Sequence, residues 1–298
     1  MPLLDAASES VLCPVVSPLN DGEIDQEALA RTTEFILDGG VDGMYPCGST
    51  GEFASLTPDQ RQQVIQTVSQ HAGDAPVIAA AAGTSTEETL SRVEDANRAG
   101  ADAAAVVAPY FHSANQAEGT LQFFEIIADQ TSLPLFLYNI PMHVGTGISA
   151  QTVKTLAEHD SIQGMKDTSG DFLYFLRVDK LTPDEFLLFQ GFDSLLVPSL
   201  RTGSNGGIHA LANVIPEVFS EIVECAHTER GMYLQQEAVA PLLELCLEYG
   251  IAPAMKTALV HQDVIPTDDV KTPLVPLSSE EKSEIHDAVD HAQGMLMD

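Results

Sequence analysis

Ile162-Gln163-Gly164-Met165-Lys166-Asp167-Thr168-Ser169-Gly170-Asp171 is a short apolar run that stops in a polar turn. Too brief for a helix and bounded by turn residues, it reads as a buried strand over 163–166. Seven runs of the same kind lie at 11–17, 43–47, 77–82, 103–108, 135–139, 186–190 and 207–211. Segments with helical periodicity alternate with them, among them 26–37, 57–71, 86–99, 118–129 and 150–158. Thr57 before Pro58 marks one helix start, Thr84 or Ser85 another, and Gly39, Gly40 and Gly100 mark helix ends. Eight such units imply a parallel sheet, and right-handed crossovers close it into a (β/α)8 TIM barrel. An open doubly wound sheet would carry a G-x-G-x-x-G turn after its first strand. The chain instead continues Ser17-Pro18-Leu19-Asn20-Asp21-Gly22. Beyond Pro216, helices are expected at 218–225, 232–249, 252–261 and 279–295, more than a barrel needs. The expected organisation is a barrel over 1–225 with a C-terminal helical region, 226–298, packed on it.

The 298 residues include 44 acidic and 13 basic ones, a net charge of −31. Such a field repels nucleic acid and anionic membranes, so neither is an expected partner. Acidic chains that lack apolar periodicity are disordered, but this one has periodic apolar segments throughout. Its acid-rich, lysine-poor composition resembles that of proteins from salt-accumulating haloarchaea. At about 1 M salt the Debye length falls to roughly 3 Å and screens the self-repulsion, so the fold is expected to need high salt. Cysteines 13, 47, 225 and 246 form no CxxC pair and read as reduced thiols of a cytoplasmic protein. Met1-Pro2-Leu3-Leu4-Asp5 offers no basic region and no long apolar core, so no signal peptide is expected, and no apolar window is long enough for a membrane span.

In a barrel of this kind the active groups stand at the C-terminal ends of the strands. The sixth strand ends at Lys166, one of only six lysines; the other five read as lying on exposed helix faces or loops. An amine held there can attack a carbonyl carbon, or it can be a salt-bridged structural group. Alternation turns the neighbouring Asp167 to the other face, which makes it a poor partner. The second strand ends in Cys47-Gly48-Ser49-Thr50-Gly51-Glu52. Its backbone N–H groups and two hydroxyls suit a carboxylate, although such a turn is also an ordinary loop. The fifth ends in Leu137-Tyr138-Asn139-Ile140-Pro141, where Tyr138 is either an acid/base phenol in the barrel mouth or a core tyrosine. Taken together, cradle, phenol and amine converge on a small 2-oxo acid such as pyruvate.

Four ordered motifs carry a resemblance over roughly the whole chain: Gly43-Met44-Tyr45-Pro46-Cys47-Gly48-Ser49-Thr50-Gly51-Glu52, Tyr138-Asn139-Ile140-Pro141, Gly164-Met165-Lys166-Asp167 and Gly206-Gly207-Ile208-His209-Ala210-Leu211-Ala212-Asn213. The chain resembles the dihydrodipicolinate synthase/N-acetylneuraminate lyase family of class I aldolases. The resemblance implies that Lys166 forms a Schiff base with pyruvate, Tyr138 shuttles the proton, and Ser49 hydrogen-bonds Tyr138. It implies that Gly48, Ser49 and Thr50 bind the carboxylate, with the backbone of Ile208 lining the pocket. It implies no metal and no cofactor, because the iminium is the electron sink, and a homotetramer built as a dimer of dimers.

Two positions depart from the synthase branch of that family. Its arginine two residues after the proline is His143 here, in Pro141-Met142-His143, and a lone imidazole gives no bidentate carboxylate recognition. Its relay tyrosine is Phe111, in Pro109-Tyr110-Phe111-His112. The expected activity is therefore reversible cleavage of 2-keto-3-deoxygluconate or its 6-phosphate to pyruvate and glyceraldehyde or its 3-phosphate. His112, Ser113 and His143 are candidates to meet sugar hydroxyls, and Arg201-Thr202-Gly203-Ser204-Asn205 to meet a phosphate. The alternative is 4-hydroxy-tetrahydrodipicolinate synthase, condensing pyruvate with aspartate semialdehyde. A third reading is a non-catalytic binder of an oxo acid.

Overall fold

The computed structural model describes residues 9–297, so residues 1–5, read above for targeting signals, lie outside it. Eight barrel strands follow in chain order: β1 Ser10–Cys13, β2 Gly43–Met44, β3 Ile78–Ala80, β4 Ala103–Val107, β5 Leu135–Asn139, β6 Ile162–Asp167, β7 Leu187–Gln190 and β8 Gly206–Ile208. They pair in the order β2-β1-β8-β7-β6-β5-β4-β3, every neighbour parallel. A parallel bridge between Met44 and Val77 links β2 to the start of β3 and brings the ring round. The expected (β/α)8 barrel is the observed one.

Several strands are shorter than their apolar runs. The run 11–17 pairs only as far as Cys13, because Pro14 has no N–H to give the ladder. Beyond it, the Val16 N–H is donated to the Asn213 side chain at 3.0 Å. The run 207–211 leaves the sheet after Ile208 and enters a 3-10 turn, Ala210–Asn213.

Alternation sorts the strand residues into two packing layers. Ile78, Ala80, Ala105, Phe136, Tyr138, Phe189 and Ile208 fill the ring. Ala79, Ala104, Leu137, Met165 and Leu188 face the surrounding helices. Alanines on β3 and β4 leave the volume that Tyr45, Phe136, Tyr138 and Phe189 occupy. Each phenylalanine buried there contributes roughly 1.5–3 kcal/mol.

The helix starts follow their capping residues. Thr57 and Gln60 form a reciprocal capping box, each side chain accepting from the other's backbone N–H at 3.2 Å. Ser85 caps the helix Thr86–Arg98, while Thr84 donates to Glu88. Asp171 caps Phe172–Leu181, a helix the periodicity did not single out. After Pro216–Cys225, the chain runs helically from Glu229 to Tyr249 with one π turn, Gln235–Val239. At Gly250 (φ +95°) it bends by 120° into Ile251–His261. That bend brings Leu243, Leu247 and Ile251 over the mouth of the barrel. Ser279–Gly294 completes the C-terminal helices. Among the described residues no single helix is long and apolar enough to cross a membrane. All four cysteines are free; three are buried and Cys225 is partly so.

Candidate active site

A cavity of about 360 Å³ opens at the C-terminal ends of the strands, lined among others by Ser49, Thr50, Tyr138, His143, Lys166 and Ile208. Six of the residues singled out in the sequence therefore meet in one place. Gly48 lines an adjoining cavity of about 340 Å³, which shares Ser49, Tyr138 and His143 with the first.

Lys166 is placed by the ladder: it pairs with Tyr138 of β5 on one side and Phe189 of β7 on the other. Only 4% exposed, it reaches the cavity past Gly191. A Cβ on residue 191 would lie 2.9 Å from the Lys166 Cε and 2.0 Å from Thr168 Oγ1, so no larger residue fits beneath the lysine. Among the described residues Lys166 takes part in no ion pair. Its Nζ lies instead over two aromatic rings, Tyr45 and Tyr138, 4.7 Å from each centroid.

The Tyr138 hydroxyl stands 3.4 Å from Ser49 Oγ, a long hydrogen bond that ties the phenol to the turn after β2. In that turn the N–H groups of Gly51 and Glu52 close on the carbonyls of Gly48 and Ser49 at 3.1 and 3.2 Å. Among the described residues no hydrogen bond engages the amides of Ser49 and Thr50. Cys47 and Glu52 flank it with φ of +59° and +56°, left-handed values that cost a side-chain-bearing residue energy. The surrounding structure enforces them. Glu52 forms a fully buried ion pair with Lys256, and its other carboxylate oxygen accepts from Lys271 N at 2.9 Å. Lys256 also donates to the Asp269 carbonyl at 2.8 Å, and Lys271 Nζ to Gln60 at 2.8 Å. Burial pulls the Lys256 ammonium down from its usual pKa while Glu52 pulls it back. Lys256 is thus not on an exposed helix face, as its sequence context implied: its helix, Ile251–His261, is packed over most of its surface.

Asp167, turned away from the ring as alternation requires, accepts from Asn139 Nδ2 at 2.8 Å and from Ser169 Oγ at 2.9 Å. Asn139 Oδ1 accepts in turn from Ile148 N at 3.0 Å. These bonds clamp the ends of β5 and β6, the positions that carry Tyr138 and Lys166. Burial pushes the Asp167 carboxyl up to about 6 in spite of its hydrogen bonds. Because this lies above its unfolded value, the folded chain holds the proton more tightly. Stability from this group is present at low pH and lost as pH rises from about 4 to about 6, by roughly 3 kcal/mol. Urea unfolding of the parent and Asp167→Asn between about pH 4.5 and 7 should diverge in favour of the variant as pH rises. Parallel curves would exclude this assignment.

Three expected contributors lie elsewhere. His112 and Ser113 are exposed and line neither cavity; His112 sits edge-on to Phe111, itself 88% exposed, with centroids 5.0 Å apart. Arg201–Asn205 precedes β8 and so lies at the opposite end of the barrel. Arg201 is committed there to the carbonyls of Ala226 and Thr228 at 2.7 and 2.6 Å. One charged lining residue lies outside the sequence-derived candidates. Asp193, three residues beyond the end of β7, presents the one carboxylate lining the cavity that holds Lys166. Its Oδ1 accepts from Leu211 N at 2.8 Å, and its Oδ2 lies 3.7 Å from Nδ1 of the buried His209. Reading the end of the seventh strand as the others were read would have found it. Tyr45, within the first of the four motifs, lines neither cavity but meets the lysine through its ring.

The Dihydrodipicolinate synthetase family model matches residues 7–292. The 4-hydroxy-tetrahydrodipicolinate synthase of Pelobacter propionicus is 32% identical over 276 residues, covering 91% of this chain and 94% of that one. Among solved structures, the dihydrodipicolinate synthase of Thermotoga maritima superposes with a TM-score of 0.90 at 26% identity, covering 97% and 99% of the two chains. YagE, a prophage protein of the dihydrodipicolinic acid synthase family from E. coli K12, solved in complex with pyruvate, gives 0.89 at 25% identity over 96% and 98%. This chain belongs to the dihydrodipicolinate synthetase family. It is a lyase of the class I aldolase type, and the family works without a metal.

Proposed function

We propose that the chain is a Schiff-base aldolase that uses pyruvate and a neutral hydroxyaldehyde, reversibly joining and cleaving 2-keto-3-deoxygluconate. The pyruvate carboxylate rests on the amides and hydroxyls of Ser49 and Thr50, with Gly48 allowing the close turn. Lys166 Nζ attacks C2, and the carbinolamine loses water to give a protonated ketimine. The positive nitrogen withdraws electrons, so C3 can lose a proton, or break its bond to C4 in cleavage, leaving an enamine. Tyr138, held by Ser49, relays the protons. Hydrolysis of the ketimine returns the amine.

The charge inventory of the cavity carries the choice of acceptor. Lys166 is the only lysine or arginine lining it among the described residues, and Asp193 is the carboxylate facing the same space. An acceptor with a carboxylate or a phosphate would meet that anion with no guanidinium to offset it. Hydroxyl groups, in contrast, donate to Asp193 and pair with His143. The apolar rim, with Met142, Leu243 and Leu247, adds no further charge. The second reading is 4-hydroxy-tetrahydrodipicolinate synthase, and the names of relatives at 29–33% identity favour it over the first.

A substrate panel in molar KCl, which screens the net charge of −31, separates the two. Condensation with glyceraldehyde is expected to exceed that with glyceraldehyde 3-phosphate and with aspartate semialdehyde. Asp193→Asn should lower kcat/KM for glyceraldehyde by roughly tenfold or more, with the pyruvate adduct still forming. Fastest turnover of aspartate semialdehyde would replace the first reading with the second.

A further inference from the structure

We propose that Tyr45 is a positioning residue for the Lys166 amine, holding its cationic forms by a ring face where most buried lysines have a carboxylate. The inference rests on the proposed role of Lys166. Tyr45 is fully buried one residue beyond β2, and its ring stands edge-to-face with Tyr138, centroids 6.0 Å apart and planes at 81°. Two rings at nearly a right angle form a V, and Lys166 Nζ sits in it, 4.7 Å from both centroids. Gly48 leaves room beside the ring: a Cβ there would lie 3.1 Å from the Tyr45 Cε1. The alanines at 80 and 105 leave room for the ring inside the barrel.

The arrangement suits an amine that must change state. A buried carboxylate would hold the ammonium too firmly to release a proton for attack. An aromatic face attracts the cation more weakly, and it attracts the ketimine's protonated nitrogen in the same way, because both cationic forms carry their charge on the same atom. The Tyr45 hydroxyl has no hydrogen-bond partner among the described residues, so the ring face, not the hydroxyl, is the group in use.

The test compares shapes that match and ring charges that differ. The rate of borohydride trapping with pyruvate is followed against pH for the parent, for Tyr45→Phe and for the same position carrying ring-trifluorinated phenylalanine. Tyr45→Phe keeps the electron-rich face and removes only an unpaired hydroxyl, so its half-maximal pH should stay with the parent's. The fluorinated ring has lost that face, and its half-maximal pH should fall by about one unit, a roughly tenfold change in the proton equilibrium. Coincident profiles for the two phenylalanine forms would overturn the role of Tyr45. No adduct in the parent would instead defeat the reading of Lys166, and the two failures are distinct.

Discussion

Borohydride added to the protein with pyruvate should inactivate it irreversibly and leave the reduced adduct on Lys166 alone among the six lysines. The selectivity has a structural basis. Lys166 is the only lysine lining the cavity among the described residues, and it is free of any ion pair there. Lys256, the other deeply buried amine, is occupied by Glu52 and the Asp269 carbonyl. Lys166→Ala should lose activity on the order of 10⁴-fold or more, because no neighbouring group replaces the nucleophile. Its fold should survive, since the deleted amine anchors no salt bridge. Peptide mass spectrometry locates the adduct. Full activity in Lys166→Ala, or an adduct on another lysine, would end the aldolase proposal.

The second large effect concerns the Glu52–Lys256 pair. Lys256→Met removes one partner and leaves a carboxylate buried without compensation, at a cost of roughly 3–5 kcal/mol. Glu52→Gln strands the ammonium in the same way. The double variant should recover much of the loss, because both desolvation penalties disappear together. Unfolding free energies for the four forms give the coupling directly. The pair also holds Glu52 in its left-handed conformation at the end of the carboxylate turn. KM for pyruvate should therefore rise more than kcat falls in whichever single variant remains folded. Additive effects of the two substitutions would show that the pair does not act as a unit.

Much of the candidate site was legible because its signals are local. Lys166, Tyr138 and the Ser49/Thr50 turn each stand at the end of an apolar run, and the barrel rule sends all such ends to one rim. The same rule, applied to the loop before β8, excludes Arg201–Asn205 from that rim, since those residues lead into a strand and do not leave one. His112 was harder to judge. Its position after β4 is correct for the rim, but the loop turns outward at Phe111, whose φ is +71°. Nothing in the residue types at 109–113 announces that turn. Lys256 misled for the opposite reason. An apolar helix with one lysine looks like an amphipathic surface helix until its partner, far away in sequence, is known.

Periodicities of two and of 3.6 residues, together with capping and turn residues, belong to each segment by itself, and the sequence determined from them the eight strands, most of the helices and the barrel. Which groups face one another was decided only in the tertiary structure. The Val16 amide finds its acceptor 197 positions away in Asn213, Glu52 finds its cation on a C-terminal helix, and Lys166 finds two rings in place of a carboxylate. The reason is physical: a buried polar group takes the nearest partner in space, and closure of the barrel decides which residue that is.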